Sequence, residues 1–272
     1  MKFANYHTHS TFCDGKDTPE AMVQEAVRLG CPALGFSGHG VAEYDSAAMK
    51  PEAEGAYVAE VRRLQEAYAG KLRILCGVER DFYGPESRQD YDYVIGGVHD
   101  LKRGGEYRCL DWKPEMLAGI VRDWFGGDWY AMAEEYYRCV GALYEQTGCR
   151  VIAHFDLIEK FNEDGTLFDR THPRYRAAAL GALDRLKHAP VIFEINTGAM
   201  ARGYRKTPYP DDFLLRAMQE AGVPLMLGAD CHDKQFLLYG FAQYAALVDE
   251  ASFTPEFLLN PTDGAQGSRK IL

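Results

Sequence analysis

The sequence lacks three things whose absence narrows what it does. No Cys-X-X-Cys pair occurs among its seven cysteines, an odd number, so neither a disulfide framework nor a cysteine-rich zinc module is encoded. No apolar run approaches membrane-spanning length, and the opening Met1-Lys2-Phe3-Ala4-Asn5-Tyr6-His7 has no leader-like apolar core. Basic residues are also short: 30 Lys and Arg face 40 Asp and Glu, a net charge of −10. That surface repels polyanions, which argues against a partner made of long nucleic acid. These absences lead us to expect a reduced, cytoplasmic protein with no membrane partner and its thiols buried. What remains is ordinary globular composition, 47% hydrophobic and 26% charged, with no low-complexity linker to divide the chain. A small anionic ligand is still allowed if cations or local Arg and Lys invert the potential in a cleft.

Short apolar runs alternate with amphipathic stretches along the whole length. Strands are expected at Phe3–Tyr6, Ala33–Ser37, Leu72–Val78, Tyr93–Val98, Val151–Ala153, Val191–Ile195 and Pro224–Leu227, apolar on consecutive positions as strands covered on both faces must be. Helical patterns lie between them. One opens at Thr18-Pro19 and ends at Gly30; others fall near 129–146, 173–188, 211–221 and 235–249. Strands alternating with helices predict a parallel sheet with right-handed crossovers. We therefore expect one barrel-like α/β domain over residues 1–272. The stretch 100–128, which contains Gly104-Gly105, Trp112, Trp124 and Gly126-Gly127, reads as a long loop insertion, and 79–92 looks too short for a full helix.

Polar residues cluster where the strands end. His7-Thr8-His9 follows the first, His39 the second, Glu79 the third, His99 the fourth, His154 the fifth, Glu194-Ile195-Asn196 closes the sixth, and Asp230-Cys231-His232 follows the seventh. Six of the eight histidines sit there; only His172 and His188 do not. In a closed parallel barrel those ends share one face, where such enzymes work. Each residue alone has an ordinary reading. His-X-His directs two imidazoles the same way in extended chain but is common by chance, Asp14 in Asp-Gly is by default a turn residue, and single histidines are usually structural. Cys231 should point away from its neighbours Asp230 and His232. One metal site explains all the strand ends together, and its imidazole and carboxylate donors suit Zn, Mn or Fe.

Tyr6-His7-Thr8-His9-Ser10, Cys13-Asp14-Gly15, Gly35-Phe36-Ser37-Gly38-His39, Gly77-Val78-Glu79, Gly97-Val98-His99, Ala153-His154-Phe155-Asp156 and Gly228-Ala229-Asp230-Cys231-His232 together resemble the PHP (polymerase and histidinol phosphatase) superfamily, in order from residue 6 to residue 232. The likeness is nearest to its histidinol-phosphate phosphatases. It implies a distorted (β/α)7, TIM-like barrel with a trinuclear site of divalent ions at the strand C-terminal face. By this resemblance His7, His9, Glu79 and Asp230 would hold one ion, Glu79 with His99 and His154 a second, and Asp14, His39 and His232 a third. Glu79, Asp230 and His232 would be catalytic, and Arg202 would bind phosphate. Many such phosphatases carry a second arginine where this chain reads Asp156-Leu157-Ile158-Glu159-Lys160, so Lys160 would replace a fork with a point charge. The implied reaction is hydrolysis of a small phosphate monoester, L-histidinol phosphate first, with Glu159 or Asp100 expected to select the leaving group's amine. Two alternatives stand beside it: a phosphoesterase for another small phosphate, nucleotide or oligonucleotide, and a non-catalytic metal or phosphate sensor. An amidohydrolase-like barrel would leave Asp14, His39 and His232 without a task.

Overall fold

The computed structural model describes residues 2–259. In chain order the elements are α1 (Pro19–Leu29), β1 (Ala33–Phe36), α2 (Pro51–Ala67), β2 (Arg73–Asp81), β3 (Tyr93–Gly97), β4 (Asp100–Arg103), β5 (Glu106–Cys109), α3 (Pro114–Phe125), α4 (Trp129–Val140), α5 (Leu143–Thr147), β6 (Val151–Ile152), α6 (Pro173–Leu186), β7 (Ile192–Asn196), α7 (Gly198–Ala201), α8 (Asp212–Ala221), β8 (Leu225–Gly228), α9 (Phe241–Tyr244) and α10 (Pro255–Leu259). Local chemistry sets their ends. The Thr18 hydroxyl accepts from Ala21 N, Pro19 opens α1 and Gly30 closes it in the left-handed region. Asp128 and Asp211 cap α4 and α8 in the same manner. His172, outside the strand ends, caps α6 by accepting from Arg174 N.

β1, β2, β3, β6, β7 and β8 form one parallel sheet in that order, curled with helices on its outside. Every residue of β1, β7 and β8 is buried, as the consecutive apolar runs require. Phe3–Tyr6 departs from expectation, because it is not a regular strand. Instead the segment from Asn5 to His9 spans the gap between the two edge strands. Gly35 N and Ser37 N donate to Asn5 O and Thr8 O on one side, while His9 N and His7 O exchange hydrogen bonds with Cys231 on the other. Tyr93 ties this segment down from inside: its hydroxyl lies 2.6 Å from Tyr6 O and 3.0 Å from Phe36 O. A side chain at Gly35 or Gly77 would collide with the Tyr93 ring, so both positions must be bare.

Residues 100–128 are not an extended loop. They make an antiparallel hairpin, β4–β5, followed by α3. Gly104 and Gly105, at φ 58° and 88°, supply the two-residue turn whose twist suits a hairpin. The connection from β2 to β3 crosses without a helix, and the short link at 79–92 is part strand, since β2 runs on through Glu79 to Asp81. All seven cysteines are free thiols, five of them buried. No helix among the described residues is long and apolar enough to cross a membrane.

Candidate metal centre

Glu79 is the hub. Wholly buried in β2, it presents Oε2 at 3.2 Å from His7 Nε2, 3.4 Å from His9 Nε2 and 3.1 Å from His39 Nδ1. Its other oxygen, Oε1, lies 3.0 Å from His154 Nε2 and 3.3 Å from His99 Nε2. A side chain at Gly97 would meet His99, Glu79 and His154 together, so the convergence depends on glycine there. Asp230 approaches from the far edge, with Oδ1 3.2 Å from His9 Nε2 and 3.8 Å from His7 Nε2. At the rim, the more exposed Asp14 stands 3.1 Å from His232 Nε2, 3.6 Å from His9 Nδ1 and 3.8 Å from His39 Nε2. A Cβ on Gly15 would strike the backbone of His9 and Ser10, so the Asp14-Gly15 turn folds tightly against the His-X-His segment.

Three groups have donor atoms within 4.8 Å of one another: His7, His9 and Asp230; His39, Glu79 and His99; His9, Asp14, His39 and His232. These groups hold eight of the nine residues singled out from the sequence as ligands, and His154, 3.0 Å from Glu79 Oε1, joins them as the ninth at one end of the sheet. They also fit cations chemically. His7 Nε2, His9 Nε2 and Glu79 Oε2 are buried without a hydrogen-bond partner, a costly arrangement for protein alone and the ordinary one for a coordination site. Burial opposes charge on His7, but Glu194, Glu79 and Asp230 outweigh it and hold its pKa well above the usual imidazole value. Glu79 is held well below the carboxylate range, against burial, by His7, His99 and His39, and Asp230 likewise by Arg202 and His7. His9 goes the other way, lowered to about 3 by burial and then by His232 and His39.

Two orienting carboxylates were not legible as such in the sequence. Glu194 Oε1 accepts from His7 Nδ1 at 2.7 Å, and its Oε2 accepts from His154 N and Asn196 Nδ2. Asp81 Oδ2 accepts from His99 N and lies 3.5 Å from His99 Nδ1. With Nδ1 of His7 bonded to Glu194 and Nδ1 of His99 facing Asp81, each ring turns Nε2 to the centre. Their only signal is period two: Glu194 and Asn196, like Glu79 and Asp81, fall on the same face of one strand.

Arg202 follows α7, and its guanidinium straddles Asp230: Nη1 donates to the Asp230 carbonyl and Nη2 to Oδ2, both at 3.0 Å. His232 Nδ1 is 2.9 Å from the same carbonyl and 3.1 Å from Arg202 Nη1. With Nε2 toward Asp14, Nδ1–H donates to the carbonyl, and the arginine contact is then proximity, not a bond. Asp230 has φ 46°, the one non-glycine residue among those described in the left-handed region. Such backbone costs roughly 1–2 kcal/mol and persists where surroundings enforce it. Cys231 points away as expected, its thiol bonded to Asp233 O. Lys160 is nearly buried and paired with Asp111 at 2.9 Å. Glu159 does not suit the role of amine reader. It is wholly buried, bonded to Asn162 and 4.0 Å from Arg170, with no surface to offer a ligand. Asp100 is also buried, and its Oδ2 has no partner.

The PHP domain family profile matches residues 5–198. A probable histidinol-phosphatase of Deinococcus radiodurans is 33% identical over 254 residues, spanning 87% of this chain and 88% of the relative. Among solved structures, a candidate histidinol phosphatase of Listeria monocytogenes superposes with a TM-score of 0.74 at 21% identity, covering 89% of this chain and 99% of that one. The histidinol phosphate phosphatase of Lactococcus lactis, solved with zinc, L-histidinol and phosphate, gives 0.63 at 20% identity over 93% and 95% of the two chains. At these identities the two structures share the fold.

Proposed function

Because the chain belongs to the PHP domain family, we propose that it is a metal-dependent phosphatase acting on L-histidinol phosphate, releasing L-histidinol and phosphate. The observation that carries this reading is the cluster of Glu79 and eight other imidazole and carboxylate side chains, with donor atoms left unpartnered in the interior. The relatives' names supply the substrate, and the zinc, histidinol and phosphate of the Lactococcus lactis protein agree with it. The fold reads as the distorted (β/α)7 barrel of the family, with the segment from Asn5 to His9 as its irregular seventh stave and 100–128 as an insertion in a single domain.

Three divalent ions fit the donor set: one on His7, His9, Glu79 and Asp230, one on Glu79, His99 and His154, one on Asp14, His39 and His232. When bound, such ions make water acidic enough to attack at neutral pH and offset the charge of the phosphoryl oxygens. The chain's own residues do the rest. Glu79 holds five imidazoles in mutual register. Arg202 spends one N–H of each terminal nitrogen on Asp230 and keeps further donors for a phosphoryl oxygen, an arrangement suited to planar recognition. Lys160, paired with Asp111, adds a point charge. Asp230 and His232, 3.4 Å apart, are placed to pass a proton to the departing alkoxide.

Elemental analysis of protein purified without chelator, followed by phosphate-release kinetics, tests this. L-histidinol phosphate should be turned over faster than glycerol phosphate, nucleoside monophosphates or a short single-stranded DNA. Protein that holds metal but hydrolyses none of them would replace the phosphatase with a sensor, and a preference for DNA would replace the substrate.

A further inference from the structure

The surroundings of Lys160 carry an assignment that rests on the phosphate-binding role just given to it. Its ammonium donates to Asp111 Oδ2 at 2.9 Å and lies 4.9 Å from the centre of the Tyr204 ring and 5.6 Å from that of Phe161. Lys160 and Asp111 come from different parts of the fold. Lys160 ends the short turn after β6, where its N–H bonds Leu157 O, whereas Asp111 stands just beyond the β4–β5 hairpin. That hairpin is fixed to the centre: Leu110 N donates to His99 O at 2.8 Å, and Cys109 Sγ donates to Asp111 Oδ1 at 3.3 Å. Asp111 is therefore held from its own side before it meets the lysine. The pair also stands close to the metal centre, since Asp111 directly follows Leu110, whose N–H bonds the carbonyl of His99.

A lysine is a compact charge on a flexible stem and, unlike an arginine, has no planar fork to fix its direction. Something else must hold it. We propose that Asp111 is a positioning residue that fixes the Lys160 ammonium at the mouth of the metal centre, leaving two of its N–H donors for the phosphoryl group. The insertion thereby takes part in phosphate binding without lending a side chain to the metals. The arrangement has a built-in opposite outcome. If Asp111 merely neutralised the lysine, its removal would let phosphate bind more tightly.

The test uses metal-loaded protein and reads KM for L-histidinol phosphate, kcat, and the inhibition constant of inorganic phosphate. Asp111→Asn and Lys160→Met should each raise KM and the phosphate inhibition constant about tenfold, the effect of one charge-assisted hydrogen bond, with kcat changed by less than about threefold. The double variant should be no worse than the worse single, and Asp111→Glu should stay within about threefold of the native protein. Effects that multiply in the double variant, or an Asp111→Asn protein that binds phosphate as well as or better than the native one, would overturn the assignment. If Asp111→Asn does not fold, Lys160→Arg replaces it: a fork that reaches both Asp111 and phosphate should keep the inhibition constant within about threefold, and a tenfold loss counts against the pair. Calorimetry of inorganic phosphate on the same proteins repeats the comparison without turnover. A native protein that hydrolyses nothing would thus sink the phosphatase and leave this test intact.

Discussion

Glu159 shows how one misplaced-looking acid shapes the stability of the molecule. Burial, then the neighbouring Asp156, raises its pKa to about 7, against the pull of Arg170 and Arg205. The folded protein therefore keeps a proton that the unfolded chain gives up near the ordinary glutamate value of about 4.3. Stability from this group is complete below that value and falls as pH rises through about 7, by a ceiling of roughly 4 kcal/mol. Glu159→Gln, which stays neutral throughout, should melt close to the native protein at pH 5 and several degrees higher at pH 8. Equal melting temperatures at pH 8 would show that the carboxyl ionises freely. At this scale the sequence was legible where chemistry sits at strand ends, as with His7, His39 and Asp230. It was silent where a role arises only from contact. Glu194 read only as one more polar residue closing the sixth strand, because its partner His7 is 187 positions away. Asp111 gains meaning only once a hairpin has folded over His99.

Among the elements, the six regular strands announce themselves as uninterrupted apolar runs, and the capped ends of α1 and α8 by Thr18-Pro19, Asp211 and the glycines that follow. The hairpin does not, because Lys102-Arg103-Gly104-Gly105-Glu106 is solvated ladder with no buried face to leave a period-two trace. The stave from Asn5 to His9 was legible as extended chain but not as irregular. Its regularity is broken by neighbours it meets at different points, Leu34 at Asn5 and Cys231 at Thr8. Tyr93 is the clasp on this stave, so Tyr93→Phe should act at a distance. Leaving the buried carbonyls of Tyr6 and Phe36 short of a donor costs about 1–3 kcal/mol. Denaturant unfolding should show that loss, and metal titration should show weaker binding, since His7 and His9 ride on the loosened segment. Unchanged metal affinity in a destabilised protein would separate the clasp from the site.

For the whole molecule, the centre joins elements from residue 7 to residue 232, so cations that bind the folded chain stabilise all of it by linkage. At a free concentration one hundred times the dissociation constant, each site adds about 2.7 kcal/mol. Exhaustive chelation should lower the melting temperature by several degrees, readdition of Zn or Mn should restore it, and a melt indifferent to both would argue that the residues on Glu79 stand together for another reason. On the proposed reading, Arg202 and Lys160 would present positive charge to an anion in a chain whose net charge is −10.

The stave that joins the two sheet edges has a further bearing on how the molecule comes into being. Its residues are synthesised well before their partner at Cys231. Until then His7 and His9 have no Asp230 to complete their pocket, and an emerging chain cannot seize a metal ion in its finished cage. An ion held by His7, His9 and Asp230 together would need this closure to be in place first.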